Sequence, residues 1–436
     1  MDPSHRASRS CVTLARVRLA YLSHYFPPES NAPAARVHEL SRALVRLGHE
    51  VHVVTGQPNH PRGVVFPGYR AGEYRFEFID GIHVHRVPTF PAANRGVLLR
   101  GLGYAALPAA QVALGQLKIP ALDVVLATSP QIFTGLAGLA FARLRGVPFV
   151  LEVRDLWPES IVSVGALSAR HPLIRALERL EHTLYRSAAG IVSVTDSFVA
   201  HFLAHGVAAD AIAVIKNGAD LDLFDPDVPP APLRTRLGLA DDALLVLFCG
   251  TIGMAHDVGL LARAAAIAPA DLRAHFVIVG DGAGREALAA EISALGVGDR
   301  VHLLPAVPRR EVPGLLAAAD LSAVVLRDSP TFAGVLPSKI FEAMAMRRPI
   351  LLGVRGEARA LVERADAGLA FAPGDPAALV ASLRDFAMLG TRDRRVMGDA
   401  ARKYALTHHD RTRHAQQLAE FLERVARRGP HDHPRR

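Results

Sequence analysis

Leu244-Leu245-Val246-Leu247-Phe248-Cys249-Gly250-Thr251-Ile252-Gly253 is the stretch from which the architecture can be read. Its apolar head, Leu244–Phe248, has the length and composition of a strand. Gly250–Gly253 is a turn whose glycines let backbone N–H groups come close to a phosphate, and a helix follows. The unit recurs downstream, with strands at Ala274–Val279, Val301–Leu304, Ser322–Leu326, Ile350–Val354 and Leu369–Phe371 and helices between them. The closing stretch, Thr391–Arg428, reads as helical throughout. Upstream the pattern stops at Asp222–Pro232, which holds four Pro and three Asp in eleven residues and reads as a linker. An earlier series precedes it: strands at Arg18–Leu22, Val51–Val54, Asp123–Ala127, Pro148–Val153, Gly190–Val194 and Ala213–Ile215, with a hairpin about Asp80-Gly81. Between the first two lies a helix, Pro33–Leu47, with Val37, Leu40, Leu44 and Leu47 at helical spacing and Gly48 as its stop. Strands alternating with helices argue for parallel sheets covered on both faces. Two such series across a linker predict an α/β protein of two facing, Rossmann-like, doubly wound domains. Ligands then bind at the carboxyl ends of the strands, in the cleft between the halves.

The bulk properties agree. The chain has 436 residues, half of them apolar and 21% charged, which suits two domains and excludes global disorder. Its two cysteines, Cys11 and Cys249, are far apart, which excludes a disulfide framework and suits a reducing compartment. The net charge is +8, yet only four of the 50 basic residues are Lys, at 118, 216, 339 and 403. That charge serves either a solvated surface or attraction to anionic lipid or phosphate-bearing substrates. Nucleic acid fits poorly, because aromatics are few and the arginines form no dense stripe. No segment reads as a signal peptide. Gly101–Leu117 lacks charge but is shorter than the roughly 20 residues a membrane span needs. It is expected as a buried helix or one lying at a membrane surface.

The chemistry concentrates in Leu336-Pro337-Ser338-Lys339-Ile340-Phe341-Glu342-Ala343-Met344-Ala345-Met346. Pro337 sits where a helix start prefers Pro, and Ser338, Lys339 and Glu342 cluster on one side of the first turns. Such a start attracts phosphate, and a compact ammonium adds a larger electrostatic contribution. A carboxylate one turn on can accept both hydroxyls of a ribose. An ordinary surface helix with a local Lys–Glu pair fits the same residues. Val279-Gly280-Asp281-Gly282-Ala283-Gly284 ends another strand, and Gly282, Gly284 and Ala287 match G-x-G-x-x-A. The next strand offers no acidic residue for a ribose, so a turn near a nucleobase is the better reading.

Taken in order, Gly250–Gly253, Gly280-Asp281-Gly282 and Pro337–Ala345 resemble glycosyltransferase family 4, retaining, metal-independent enzymes of the GT-B fold. Tyr25-Phe26-Pro27-Pro28-Glu29, Ala34-Ala35-Arg36, Gly48-His49-Glu50-Val51, Thr55-Gly56, Arg154-Asp155-Leu156-Trp157-Pro158-Glu159-Ser160 and Asn217-Gly218-Ala219-Asp220 are similar to a subgroup acting on polysaccharide precursors. That subgroup includes N-acetyl-fucosamine transferases. The resemblance spans roughly residues 17–425. It implies that Glu342 binds the donor ribose, that Ser338, Lys339 and Gly253 hold the diphosphate, and that Gly282 lies near the base. Two positions depart from the family: Gly334 stands where many members carry a further Glu, and His256 and Asp257 stand where a basic residue is usual. Asp155 and Glu29, at strand ends facing the cleft, are the candidates to orient the acceptor or steady an oxocarbenium-like centre. An N-cap or a salt bridge with Arg154 is the other reading of Asp155. His24 and Arg36 are the candidate acceptor contacts, although a merely packed His24 fits as well.

The expected organisation is a tail at 1–15, an acceptor domain at 16–221, a linker at 222–235, a nucleotide-sugar domain at 236–408, a terminal helix at 409–428 returning to the first domain, and a tail at 429–436. The expected activity is transfer of a sugar, a UDP-linked N-acetyl-amino sugar by resemblance, to a lipid-linked or saccharide acceptor in surface polysaccharide synthesis. The enzyme is expected in the cytoplasm, against the inner face of the membrane, with no cofactor beyond the donor. A sugar-nucleotide epimerase and a non-catalytic sugar-nucleotide-binding scaffold are the alternatives. Two metal signals are set aside. Asp220-Leu221-Asp222 spells D-x-D but adjoins the Pro-rich linker. His83 and His85 share one face of a strand without an evident third ligand.

Overall fold

A computed structural model describes residues 16–61, 63–90 and 97–429, with backbone alone over 97–105. The expected tail at 1–15, with Cys11, and all but Gly429 of the expected tail at 429–436 lie outside the described residues. The fourteen strands among the described residues form two sheets. The first contains β1 (Arg18–Leu22), β2 (Glu50–Thr55), β3 (Arg75–Ile79), β4 (Ile82–Arg86), β5 (Val124–Thr128), β6 (Phe149–Val153), β7 (Gly190–Ser193) and β8 (Ile212–Val214). Their spatial order is β3-β4-β2-β1-β5-β6-β7-β8, parallel except for the β3–β4 hairpin. The second contains β9 (Leu244–Cys249), β10 (Ala274–Val279), β11 (Val301–Leu304), β12 (Leu321–Val325), β13 (Ile350–Gly353) and β14 (Gly368–Ala370). Its order is β11-β10-β9-β12-β13-β14, with every pair parallel. This is the two-domain α/β GT-B architecture. Strand order reverses between β1 and β5 and between β9 and β12, so the carboxyl ends of β1 and β9 mark the two crevices where ligands bind.

The helix Ala32–Arg46 shows how sequence builds the first lobe. Asn31 caps it, Oδ1 accepting from Ala34 N at 2.9 Å, and Pro33 occupies its first turn. Val37, Leu40 and Leu44 are buried, but so are Arg36, Glu39 and Ser41. Two faces are covered because a second element lies on the solvent side: Leu418, Phe421, Leu422 and Val425 of the final helix share one core with Val37 and Leu40. Each of those four side chains contributes about 1.5–3 kcal/mol on burial.

The run Thr391–Arg428 is two helices rather than one, Thr391–His408 and Arg411–Arg428. His409 leaves the helical region at φ −133°, and Asp410 caps the second helix by accepting from Thr412 N. The break lies against Ala219, whose N–H donates to His409 O at 3.0 Å. Gly218 permits that approach, since a Cβ there would meet His409 O at 2.2 Å. The last helix thereby crosses back onto the first lobe. The Asp222–Pro232 segment is laid along the second lobe, with Phe224 fully buried and Ala231 N donating to Gly314 O. The helix Val97–Lys118 is held at its described end by Gln111, whose Nε2 donates to Ser23 O and Val54 O. No helix among the described residues is long and apolar enough to cross a membrane.

Candidate functional site

Lys339 begins a short helix just beyond Pro337-Ser338 and reaches under the end of β9. Its Nζ is buried with no hydrogen-bond partner and lies 3.7 Å from the centroid of the Phe248 ring. Gly250, at φ +143°, leaves the room: a Cβ there would stand 3.1 Å from the ammonium. Burial lowers the Lys339 pKa to about 8, against which the nearby Cys249 and Glu342 act. A three-donor cation with only an aromatic face beside it lacks an acceptor. The turn and the glycine loop after β10 are locked together, Ile252 N donating to Asp281 O at 3.0 Å and Gly284 N to Ile252 O at 2.9 Å. Gly282, at φ +147°, has Ile252 O where a Cβ would go, so its absent side chain serves this contact. Gly253 faces His256, whose buried Nδ1 also lacks a partner. Burial, then Lys339, lowers the His256 pKa to about 3, leaving the ring neutral. Ser338 makes no side-chain cap. Cys249 is no nucleophile here, because burial pushes its thiol up to about 12.

Glu342 sits one turn beyond Lys339, and its Oε1 accepts from Arg309 Nη1 at 2.9 Å. Arg309 also donates to Glu39 Oε1 of the first lobe, from Nη2 at 2.6 Å and Nε at 3.0 Å. The other Glu39 oxygen accepts from Arg411 Nε, on the returning helix, at 3.0 Å. The expected ribose carboxylate is thus the first of four charges in a row that reaches the opposite lobe through Arg309 and Glu39 and ends at Arg411. Sequence reading missed Arg309 and Glu39 because neither belongs to a recognisable motif and they lie 270 residues apart.

Across the cleft the expected residues divide. His24 lies just beyond β1, its ring edge-on to Tyr25 at 4.6 Å, and burial with the neighbouring His60 lowers its pKa to about 4. A neutral imidazole there can bond a sugar hydroxyl. Asp155 follows β6 and lines a small cavity with Ser129, Trp157, Glu181 and Tyr185. Burial raises its pKa to about 6, opposed by Arg154. Arg154 itself forms no salt bridge among the described residues; its Nε and Nη1 are buried without partners. Glu29 does not present a free carboxylate. It is 4% exposed, Oε1 accepting from Asn59 N and His60 N and Oε2 from Phe26 N, so it braces two loops. Arg36 likewise faces inward, 1% exposed, donating to Glu152, Ile215 O, Lys216 O and Asn217. Both correct the expectation of direct catalytic and acceptor contact: their polar groups are already committed to the fold.

Gly334 abuts the first lobe, where an added Cβ would lie 3.1 Å from Ser197 Cβ and 3.2 Å from the Phe198 ring. The lobes are closely fitted at this position, and a longer side chain would have to displace Ser197 or Phe198. Glu357 seals the same seam, accepting from Ser197 N at 3.0 Å and from the Thr195 hydroxyl. The D-x-D carboxylates are taken by the first helix, Asp220 by Arg42 at 2.6 Å and Asp222 by Arg46 at 2.9 Å.

Two family models match the chain: a glycosyl transferase 4-like domain over residues 31–218 and glycosyl transferases group 1 over residues 232–404. A D-inositol 3-phosphate glycosyltransferase of Xylanimonas cellulosilytica is 29% identical over 341 residues, covering 74% of this chain and 75% of that protein. A 2-deoxystreptamine glucosyltransferase of Streptomyces kanamyceticus is 29% identical over 358 residues, covering 79% and 87%. These relatives are inositol-phosphate and aminoglycoside transferases rather than N-acetyl-fucosamine transferases. In fold, the chain is similar to Anabaena Alr3699/HepE, crystallised with UDP and glucose, at a TM-score of 0.68 and 20% identity, over 93% of this chain and 99% of that one.

Proposed function

Because the chain belongs to the family 4 type of GT-B glycosyltransferases, acting on nucleotide sugars, we propose that it moves a sugar from a UDP-linked donor to a phosphate-bearing acceptor, with retained configuration and no metal ion. The observation that carries the donor side is the buried, unpartnered Lys339 ammonium beside the Gly250 turn. A diphosphate supplies the acceptor oxygens this cation lacks. Glu342, held from one side by Arg309, takes the ribose hydroxyls. The acceptor hydroxyl oxygen bonds to the anomeric carbon while the bond from that carbon to the diphosphate oxygen breaks. The departing diphosphate takes the hydroxyl proton. Lys339 offsets the charge that grows on the leaving group, the part of the reaction most in need of stabilisation. Asp155, ionised above about pH 6, faces the developing positive charge on the sugar.

Arg154 supports the acceptor class. Its unpaired guanidinium nitrogens suit a phosphate in the first lobe. The relatives named for inositol 3-phosphate and the lipid-linked saccharides suggested by motif resemblance share that chemistry. An N-acetyl-amino sugar as donor group and a place on the cytoplasmic membrane face rest on the motif resemblance and on the +8 charge.

Calorimetry with UDP tests the donor side. Lys339→Ala should weaken binding about 10–100-fold, the loss of a charge-assisted contact, and Glu342→Ala should weaken it less. UDP affinity unchanged in Lys339→Ala would remove the basis of the reading.

A further inference from the structure

His83 and His85 share a strand face with no third ligand evident along the chain, and the fold supplies one. β2 and β4 are parallel neighbours with His52 opposite His83, and Glu50 lies on the same face two residues before His52. One ligand atom from each of Glu50, His52 and His83 lies within 4.8 Å of the others. We propose that Glu50, His52 and His83 bind one divalent transition-metal ion, zinc by its preference for imidazole and carboxylate ligands, at the amino-terminal end of the first sheet.

The surroundings are built for the exchange. His52 is 3% exposed and its ring stacks on His83, centroids 4.7 Å apart. His52 Nε2 lies 3.0 Å from Glu50 Oε1, and Arg16 holds the other Glu50 oxygen at 2.7 Å, so Oε1 is the oxygen turned toward the rings. On the far side His52 Nδ1 is 3.1 Å from His85 Nε2, and His85 Nδ1 is 2.9 Å from the Tyr74 hydroxyl. Without an ion the chain of bonds runs outward: Tyr74 donates to His85, His85 to His52, and His52 to Glu50. An ion replaces the proton between His52 and Glu50, and both imidazoles change tautomer. His52 Nδ1–H then donates to His85 Nε2, and His85 Nδ1–H donates to the Tyr74 oxygen. No proton is gained or lost, and the ring nitrogens of His52 and His85 stay bonded in both states. A ligating histidine held through its second nitrogen is the usual companion of a bound metal.

The place also fixes the role. Glu50 opens β2, and Thr55 closes it beside the cleft, so the ion lies at the opposite end of the strands from the nucleotide. It clamps β2 to β4 and takes no part in transfer.

Zinc chloride titrated by calorimetry into the full chain, after chelator stripping, should bind at one equivalent. His83→Asn, at a partly exposed position, and His52→Gln should abolish that binding. His85→Phe should weaken it about 10–100-fold. Each sample must match the far-ultraviolet circular dichroism and the urea transition of the unaltered chain, which report an intact first lobe. If His52→Gln does not fold, His83→Asn decides, together with the ligand-field bands of the cobalt(II)-loaded unaltered chain. Absence of stoichiometric zinc, or an equivalent that survives His83→Asn, overturns the assignment.

Discussion

At the scale of single residues, Lys339 governs two measurable quantities with opposite pH trends. Its pKa in the fold is about 8, below its ordinary 10.5, so the folded state resists holding the proton. The fold therefore gains stability as pH rises from about 8 toward 10.5, because the unfolded chain binds more protons there. UDP needs the charged form, so its affinity should fall over the same window, by at most about tenfold per pH unit. Calorimetry and urea unfolding across pH 7–10 would record both trends, and both should vanish in Lys339→Ala. On the acid side, kcat/KM should fall below about pH 6 as Asp155 takes up a proton, and Asp155→Asn should lower activity and flatten that limb. The scarcity of lysine made position 339 visible in the sequence. The orphaned Arg154 was not visible, because a sequence shows a guanidinium beside Asp155 but not whether the two bond. Glu29 and Arg36 illustrate the same limit: position at a strand or helix end does not tell which donors and acceptors reach a side chain from other elements.

At the scale of elements, almost every strand could be read from its apolar run. The boundary between the two terminal helices could not, since the break, His409 and Asp410, is only two residues long and carries no Gly or Pro to mark it. The Glu39–Arg309–Glu342 chain of ion pairs gives an expectation here. Glu39 is 3% exposed and its oxygens are bonded to Arg309 and Arg411, yet Glu39→Gln should weaken UDP binding by releasing Arg309. Paired with Glu342→Gln, the losses should be non-additive by about 0.5–3 kcal/mol. Additive losses would show that the arginine acts on each carboxylate separately. Within the first lobe Glu152 is fully buried, accepting from Tyr21 at 2.7 Å and Arg36 at 2.9 Å. Burial alone would raise its pKa, but Arg36, Arg154 and Tyr21 more than offset that and hold it low. Glu152→Ala strands Arg36 and should cost about 3–5 kcal/mol in urea unfolding.

For the molecule as a whole, the fit between lobes decides what position 334 can hold. Gly334→Glu would insert a side chain against Ser197 and Phe198. It should lower turnover and cost about 1–3 kcal/mol of stability through overpacking. A gain in turnover would mean instead that the missing carboxylate limits the enzyme. The two-lobed plan was legible because each lobe repeats one strand–helix unit. The seam was not, because it joins residues hundreds apart by fit rather than by pattern. The returning helix has a further consequence, for synthesis on the ribosome. The groove above Ala32–Arg46 is made well before Arg411–Arg428, the helix that fills it. The later lobe can mature while the earlier one waits, half-dressed, for its final covering. Cutting the polypeptide at the linker would accordingly yield one self-sufficient half and one deprived of a wall, unless the terminal segment were grafted directly after Ala219.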